Sequence, residues 1–230
     1  MFQTTRWSLV LATRADRASA RLALEELFRI YRSPILAYVR RHTASAAEAE
    51  DLTQAFLLKF IESQALDRAD PTRGRFRNYV LTALQRFLGH ACSYAAAQKR
   101  GGGRIATSLP AEAIDALPAD PDESPERVFE REWAWTVLRR ALARLEAEMD
   151  ESGDRARYDV LRDCLLESPD HDQHGRLAET LGLKRNTVAV LVHRLRLRLR
   201  ELVRLELAET LAEVGDLEDE MATLRSALRG

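Results

Sequence analysis

The sequence predicts an all-α protein made of two small helical domains joined by a flexible, acidic linker. Apolar residues recur at the 3.6-residue period of a helix through most of the chain, and strand-like alternation is nearly absent. A helix-poor run of prolines and acidic residues separates the two helical parts. The predicted ranges are a first domain over 1–104, a linker over 105–125, a second domain over 126–206 and a helical C-terminal extension over 207–230.

Charge in this chain is segregated rather than in excess. The sequence contains 35 Lys and Arg and 36 Asp and Glu, for a net charge of −1. Basic residues concentrate in 73–104 and 184–204, whereas acidic residues concentrate in 112–132. We therefore expect binding to nucleic acid to depend on particular faces of the protein. Two cysteines, no apolar run of membrane-spanning length and no signal sequence together predict a cytoplasmic protein with no membrane contact.

The first helices are marked by apolar stripes and by a capping signal. A helix over 22–41 contains Pro34, which either kinks that helix or begins a new one. Ser45 and Glu48 have the spacing of a capping box that opens a second helix. This second helix carries more apolar surface than one core contact needs. It is either a central helix buried on several sides or a helix whose polar ridge docks on a partner protein, the ridge being Asp51, Gln54 and Lys59.

The third predicted helix, 75–97, alternates aromatic and basic residues before a basic, glycine-rich break at 98–104. Proteins that bind single-stranded nucleic acid hold its backbone with cations and stack its bases on aromatic rings. The pattern leaves two alternatives for Phe76, Tyr79 and Tyr94, stacking on bases or burial in the core, whereas Phe87 is more simply a core residue.

The second half begins with Ser124 and Pro125, an N-cap followed by proline at the first helical position. Further on, a helix ends at Gly182, where a residue that tolerates a left-handed φ is favoured. The next helix carries one apolar stripe. This order of a small residue, a glycine turn and apolar residues on the second helix predicts a helix-turn-helix. The apolar residues that would hold the second helix in place are Val188, Leu191, Val192, Leu195 and Leu199.

The side of that last helix opposite the stripe is predicted to be neutral at its tip and basic along both edges. Between Lys184 and Arg204 there are seven basic residues and one acid, Glu201. Such a surface suits the major groove of DNA, because the arginines meet phosphates while the tip reads bases. The alternative is a solvated basic helix in an ordinary bundle.

The order of these parts resembles the extracytoplasmic-function sigma factors of bacterial RNA polymerase. The resemblance covers about Leu22 to Leu205 and is carried by AEDLTQAFLLKFIE, the basic aromatic helix, the acidic linker and LAETLGLKRNTVAVLVHRLRLRLREL. The stretches TRWSLVL, GRFRNYVLTAL and QKRGGG look like the planctomycete-type branch of that group.

The resemblance implies a non-enzymatic factor without a cofactor that binds core RNA polymerase, recognises and melts promoter DNA and so directs transcription initiation. It also admits an anti-sigma protein as a partner. It implies polymerase contacts through Asp51, Gln54 and Phe56. It implies contacts with the melted minus-ten strand through Arg73, Arg75, Arg77, Tyr79, Arg86, Tyr94, Lys99 and Arg100. It implies contacts with the duplex minus-thirty-five element through Lys184, Arg185, Asn186, Thr187, His193, Arg194 and Arg196.

Two other classes of protein were weighed against this interpretation. A stand-alone helix-turn-helix regulator would use only the C-terminal half, and would bind duplex DNA without polymerase. A metal enzyme would have to use Cys164, His171 and His174, whose spacing matches no standard zinc pattern. No metal site is therefore predicted, and the sequence shows no paired carboxylates, nucleophile elbow or phosphate loop.

Overall fold

A computed structural model gives the fold. It describes residues 17–63, 65, 75–99, 123–167, 171–208 and 217–229. These residues form α-helices and one 3₁₀ helix without any strand, which confirms the all-α prediction. No helix among them is long and apolar enough to span a membrane. The predicted linker lies almost entirely outside the described residues.

The helices follow one another along the chain with short connections in the second half. They are α1 (Arg17–Arg40), α2 (Ala46–Glu62), α3 (Phe76–Lys99), α4 (Pro125–Glu151), α5 (Arg155–Leu161), the 3₁₀ helix (Arg162–Cys164), α6 (His171–Leu181), α7 (Arg185–Ala208) and α8 (Leu217–Arg229). α1 continues through Pro34, so this proline does not begin a new helix.

The described residues form two compact units, which are considered separately. The first extends to Thr136 and also contains Ala208 and α8, and the second spans Val137–Leu207. The boundary falls inside α4, so the N-terminal turns of α4 belong to the first unit. This grouping differs from the predicted ranges, because α4 begins among the side chains of α1. Its contacts there join Tyr38 to Glu126 and Ser33 to Glu132.

Helix caps in the first unit form as the sequence predicts. The Ser45 hydroxyl accepts a hydrogen bond from the backbone N–H of Glu48 at 3.1 Å, which satisfies a free donor at the start of α2. The Ser124 hydroxyl accepts one from the backbone N–H of Arg127 at 3.3 Å, where α4 begins. Large apolar side chains from α1, α3 and α4 fill the core, among them Ile30, Ile35, Phe76, Leu84, Phe129 and Trp133.

In the second unit, a tight turn joins α6 to α7. Gly182 has a φ of +63°, which confirms the left-handed conformation predicted for it. The N–H of Leu183 donates to the carbonyl of Ala178 at 2.9 Å, and the N–H of Gly182 donates to that of Glu179 at 3.2 Å. This pair of bonds is a Schellman motif and ends α6. The turn allows the two helices to share a core that contains Leu161, Cys164, Ala178, Val188 and Val192.

A buried carboxylate ties α7 to the C-terminal half of α4 within the second unit. Glu206 is fully buried, with Arg140 Nε 2.8 Å from one of its oxygens and Arg144 Nε 2.9 Å from the other. Two cations compensate for removing this charge from water, which would otherwise be costly. The pairing therefore fixes the position of α7 on α4.

Candidate nucleic-acid and polymerase interface

One face of α2 is exposed and mixes polar and apolar side chains. Asp51 and Gln54 are both exposed, as the sequence predicts for a docking ridge. Leu58 and Ile61 continue the same face at helical spacing, and Leu58 is 60% exposed. Leu58 and Ile61 are not among the predicted contacts, although the excess of apolar residues on this helix was a signal for them.

Phe56 does not belong to that face. Its side chain is only 3% exposed, and its ring lies 5.5 Å from those of both Phe60 and Phe87. The prediction that Phe56 contacts a partner directly is therefore corrected: it packs in the core and supports the exposed ridge on the other side of the helix. Sequence spacing did not separate the two roles because apolar residues surround most of α2.

The first turn of α3 places two arginines beside one carboxylate. Arg75 Nε lies 3.0 Å from Glu220 Oε2, and Arg77 Nη1 forms a close ion pair with Glu220 Oε1. The Arg77 guanidinium also lies over the ring of Trp133, 4.3 Å from its centroid. Burial, and next the neighbouring charge of Arg75, lower the pKa of Arg77 to about 10. Arg77 therefore remains a cation at neutral pH but is not at the surface.

The rings at the start of α3 are buried to different degrees. Phe76 is buried against Tyr31, with ring centroids 5.4 Å apart, so it is not available for base stacking. Tyr79 is half-buried, and its hydroxyl donates to the carbonyl of Ala65 at 2.6 Å. The core alternative is therefore correct for Phe76.

The other residues predicted to contact the minus-ten strand are only partly described by the structure. Arg86 is exposed on α3. Tyr94 and Lys99 lie on the last turns of α3, where side chains are not described. Arg73 and Arg100 fall outside the described residues.

The N-terminal half of α7 presents the predicted polar surface. Six exposed polar residues lie on it and on the turn before it: Lys184, Arg185, Asn186, Thr187, His193 and Arg194. Val190 is 48% exposed between them. An exposed valine in a polar face offers two methyl groups for apolar contact.

Arg196 occupies a different position from the one predicted. Its guanidinium donates to the carbonyl of Cys164 at 2.6 and 3.0 Å and to the carbonyl of Glu167 at 2.6 Å. The prediction that Arg196 meets DNA is corrected, because these bonds turn it toward the chain that follows the 3₁₀ helix. Cys164 itself is buried, which raises the pKa of its thiol. Among the described residues, no three His, Cys, Asp or Glu side chains are grouped to hold a metal ion.

Comparison with family models found a similarity in the first half of the chain. Residues 27–92 match the model of Sigma-70 region 2. The region 2 segment contains most of α1, all of α2 and most of α3. It therefore includes the exposed ridge of α2 and both arginines at the start of α3. Comparison with curated proteins and with solved structures found no match.

Sigma-70 region 2 is a domain of sigma factors, which are non-enzymatic transcription initiation factors that take part in promoter recognition and melting. Sigma factors act with core RNA polymerase on promoter DNA. The match ends before α4, so the second unit, with α6 and α7, lies beyond region 2.

Proposed function

We propose that the chain is an extracytoplasmic-function sigma factor of the planctomycete-type branch, acting in the cytoplasm on core RNA polymerase and promoter DNA. The observation that carries this proposal is the region 2 match over 27–92. The sequence motifs and a second helical unit with a basic helix support the finer assignment. The domain roles follow: 1–104 acts as region 2, 105–125 as linker and 126–206 as a region 4-like helix-turn-helix domain.

The α2 ridge is the proposed polymerase contact. Asp51 and Gln54 supply polar side chains, while Leu58 and Ile61 add exposed apolar area. Interfaces between proteins typically combine apolar and polar contacts. The buried Phe56 maintains the geometry of α2 rather than touching the partner.

The α3 surface is the proposed contact with the melted minus-ten strand. Arg75 is half-buried at its first turn and Arg86 is exposed further along. Arginine side chains form charge-assisted hydrogen bonds with phosphate oxygens. Arg77 belongs to this set only after its present partner Glu220 is displaced.

The exposed face of α7 is the proposed reader of the duplex minus-thirty-five element. A helix placed in the major groove reads base edges with its N-terminal residues and meets phosphates with flanking cations. Asn186 is suited to pair with adenine, and Val190 to contact the methyl group of thymine. Lys184, Arg185 and Arg194 supply positive charge around them, while Arg196 maintains the fold beneath.

Fluorescence anisotropy on a promoter duplex at physiological salt, with and without core polymerase, tests the proposal. A sigma factor of this kind binds specifically only when polymerase anchors both of its halves. Tight, sequence-specific binding by the isolated protein would instead identify a stand-alone helix-turn-helix regulator. Promoter fragments for the measurement come from reconstituted transcription on genomic DNA.

A further inference from the structure

Glu220 is the acidic residue of α8 that is buried in the first unit. The first turn of α8 contains three consecutive acids, Glu218, Asp219 and Glu220. The first two are exposed, whereas Glu220 is 1% exposed. Acids at a helix N-terminus are favoured by the helix dipole wherever they point. The dipole therefore does not explain why one of the three is buried.

The partners of Glu220 explain its burial. Its two oxygens face Arg75 and Arg77, so one carboxylate neutralises two guanidinium groups that stand two residues apart on α3. Arg75 Nη1 also donates to Thr223 Oγ1, one turn further along α8, at 3.4 Å. Two adjacent cations repel each other, and an anion between them removes that repulsion. The arginine pair is thus built to hold an anionic group with two or more oxygens.

Apolar contacts secure α8 at this position. Met221 and Leu224 are both buried and lie three residues apart, and Leu224 is one turn after Glu220 on the same side of α8. The helix is part of the same chain, so its local concentration at the arginine pair is high without any added partner. A competing anion on the arginines would oppose the docking of α8 at this position.

We propose that α8 is an intramolecular inhibitor, in which the Glu220 carboxylate occupies the position that a phosphate of the melted promoter strand takes on Arg75 and Arg77. This inference rests on the proposed function, because it requires the minus-ten strand as the competing ligand. A phosphate oxygen pair accepts the same charge-assisted hydrogen bonds as a carboxylate. DNA binding and α8 docking are then mutually exclusive at this site, and the two equilibria are coupled.

The test uses the full chain with core polymerase and a fluorescein-labelled single-stranded oligonucleotide that carries the minus-ten strand of a promoter. Glu220→Gln keeps the size of the side chain and removes its charge. Asp219→Asn makes the same charge change one residue away at an exposed position. We expect Glu220→Gln to tighten binding of the oligonucleotide by roughly 5- to 150-fold, the usual range for coupled sites. We expect Asp219→Asn to leave the affinity unchanged.

Equal affinity of the Glu220→Gln and wild-type complexes would overturn the inference, as would an equal gain in Asp219→Asn. If neither the wild-type nor the Glu220→Gln complex binds the oligonucleotide, the proposed function fails first and the inference fails with it. Hydrogen exchange of the wild-type complex gives a second readout that needs no variant. Backbone protection of Leu217–Arg229 should fall when the oligonucleotide binds, and unchanged protection would show that α8 is a permanent part of the fold.

Discussion

Arg198 on α7 and Glu148 on α4 form a two-bonded ion pair within the second unit. Arg198 Nε donates to Glu148 Oε2 at 2.8 Å and Nη2 donates to Oε1 at 2.6 Å. Both side chains are partly exposed, so solvent screens part of their attraction. The hydrogen bonds from Arg198 are the main cause of a pKa of Glu148 below its usual 4.5.

This pair predicts a pH-dependent contribution to stability. A carboxyl whose pKa is lowered by folding stabilises the protein fully above its unfolded pKa, and that contribution is lost as pH falls through the folded pKa. Glu148→Gln should therefore lower the free energy of unfolding by ~0.5–1 kcal/mol at pH 7. The difference from wild type should shrink below pH 4.5. Urea unfolding at several pH values measures this difference in the free energy of unfolding, with Glu151→Gln at an exposed position as the control. A difference that persists at the lowest pH would show that the ion pair with Arg198 is not its cause.

The ridge on α2 predicts a separation of binding from stability. Asp51→Ala combined with Gln54→Ala should weaken association with core polymerase while changing the free energy of unfolding by no more than about 0.5 kcal/mol per site. Phe56→Ala, in contrast, should cost about 3–5 kcal/mol of stability, because it removes a buried ring. Thermal melting and polymerase pull-down distinguish the two, with the exposed Asp163→Ala as a control. A large loss of melting temperature in the double variant would show that the ridge is structural.

Arg194 and Arg196 lie two residues apart on α7, yet we expect opposite effects when each is replaced. One change should affect DNA binding and the other the stability of the fold. Arg194→Ala should leave stability nearly unchanged and lower the affinity of the polymerase complex for promoter duplex by about 1–3 kcal/mol if this side chain reads a base. If it meets phosphate, the loss should be uniform across sequences, with a shallower dependence on salt. Arg196→Ala should instead lower the free energy of unfolding by about 1–3 kcal/mol, because the carbonyls of Cys164 and Glu167 lose their donor. Equal melting temperatures for both variants would refute this division.

If Val190 contacts a thymine methyl group in the minus-thirty-five element, the affinity for promoter duplex should depend on that methyl group. Replacing thymines singly by deoxyuridine removes only the methyl group. One such replacement should weaken binding of the polymerase complex by ~0.8 kcal/mol, the free energy of burying about one methylene. Val190→Ala should abolish this sensitivity, whereas Leu197→Ala, exposed two turns further along α7, should keep it. Uniform affinity across all deoxyuridine duplexes would exclude the contact.

Features that depend on neighbours in the chain were predictable from the sequence. The cap at Ser45, the start of α4 at Ser124 and Pro125, and the left-handed Gly182 all agree with prediction, because each depends on a few adjacent residues. The all-α fold follows from the same local periodicity. The sequence also placed Asp51 and Gln54 on an exposed face of α2.

The partners of individual side chains were decided only by the tertiary structure. Residue type alone does not tell a buried ring from a ring that contacts a partner. Packing against other helices buries both Phe56 and Phe76. Arg196 is turned to carbonyls that precede it by about thirty residues, and Arg77 is paired with Glu220, 143 residues away along the chain. Periodicity reports which face a residue occupies on its own helix. It contains no information about which distant helix covers that face, and for Arg75 and Arg77 the covering helix is α8, which supplies the Glu220 carboxylate.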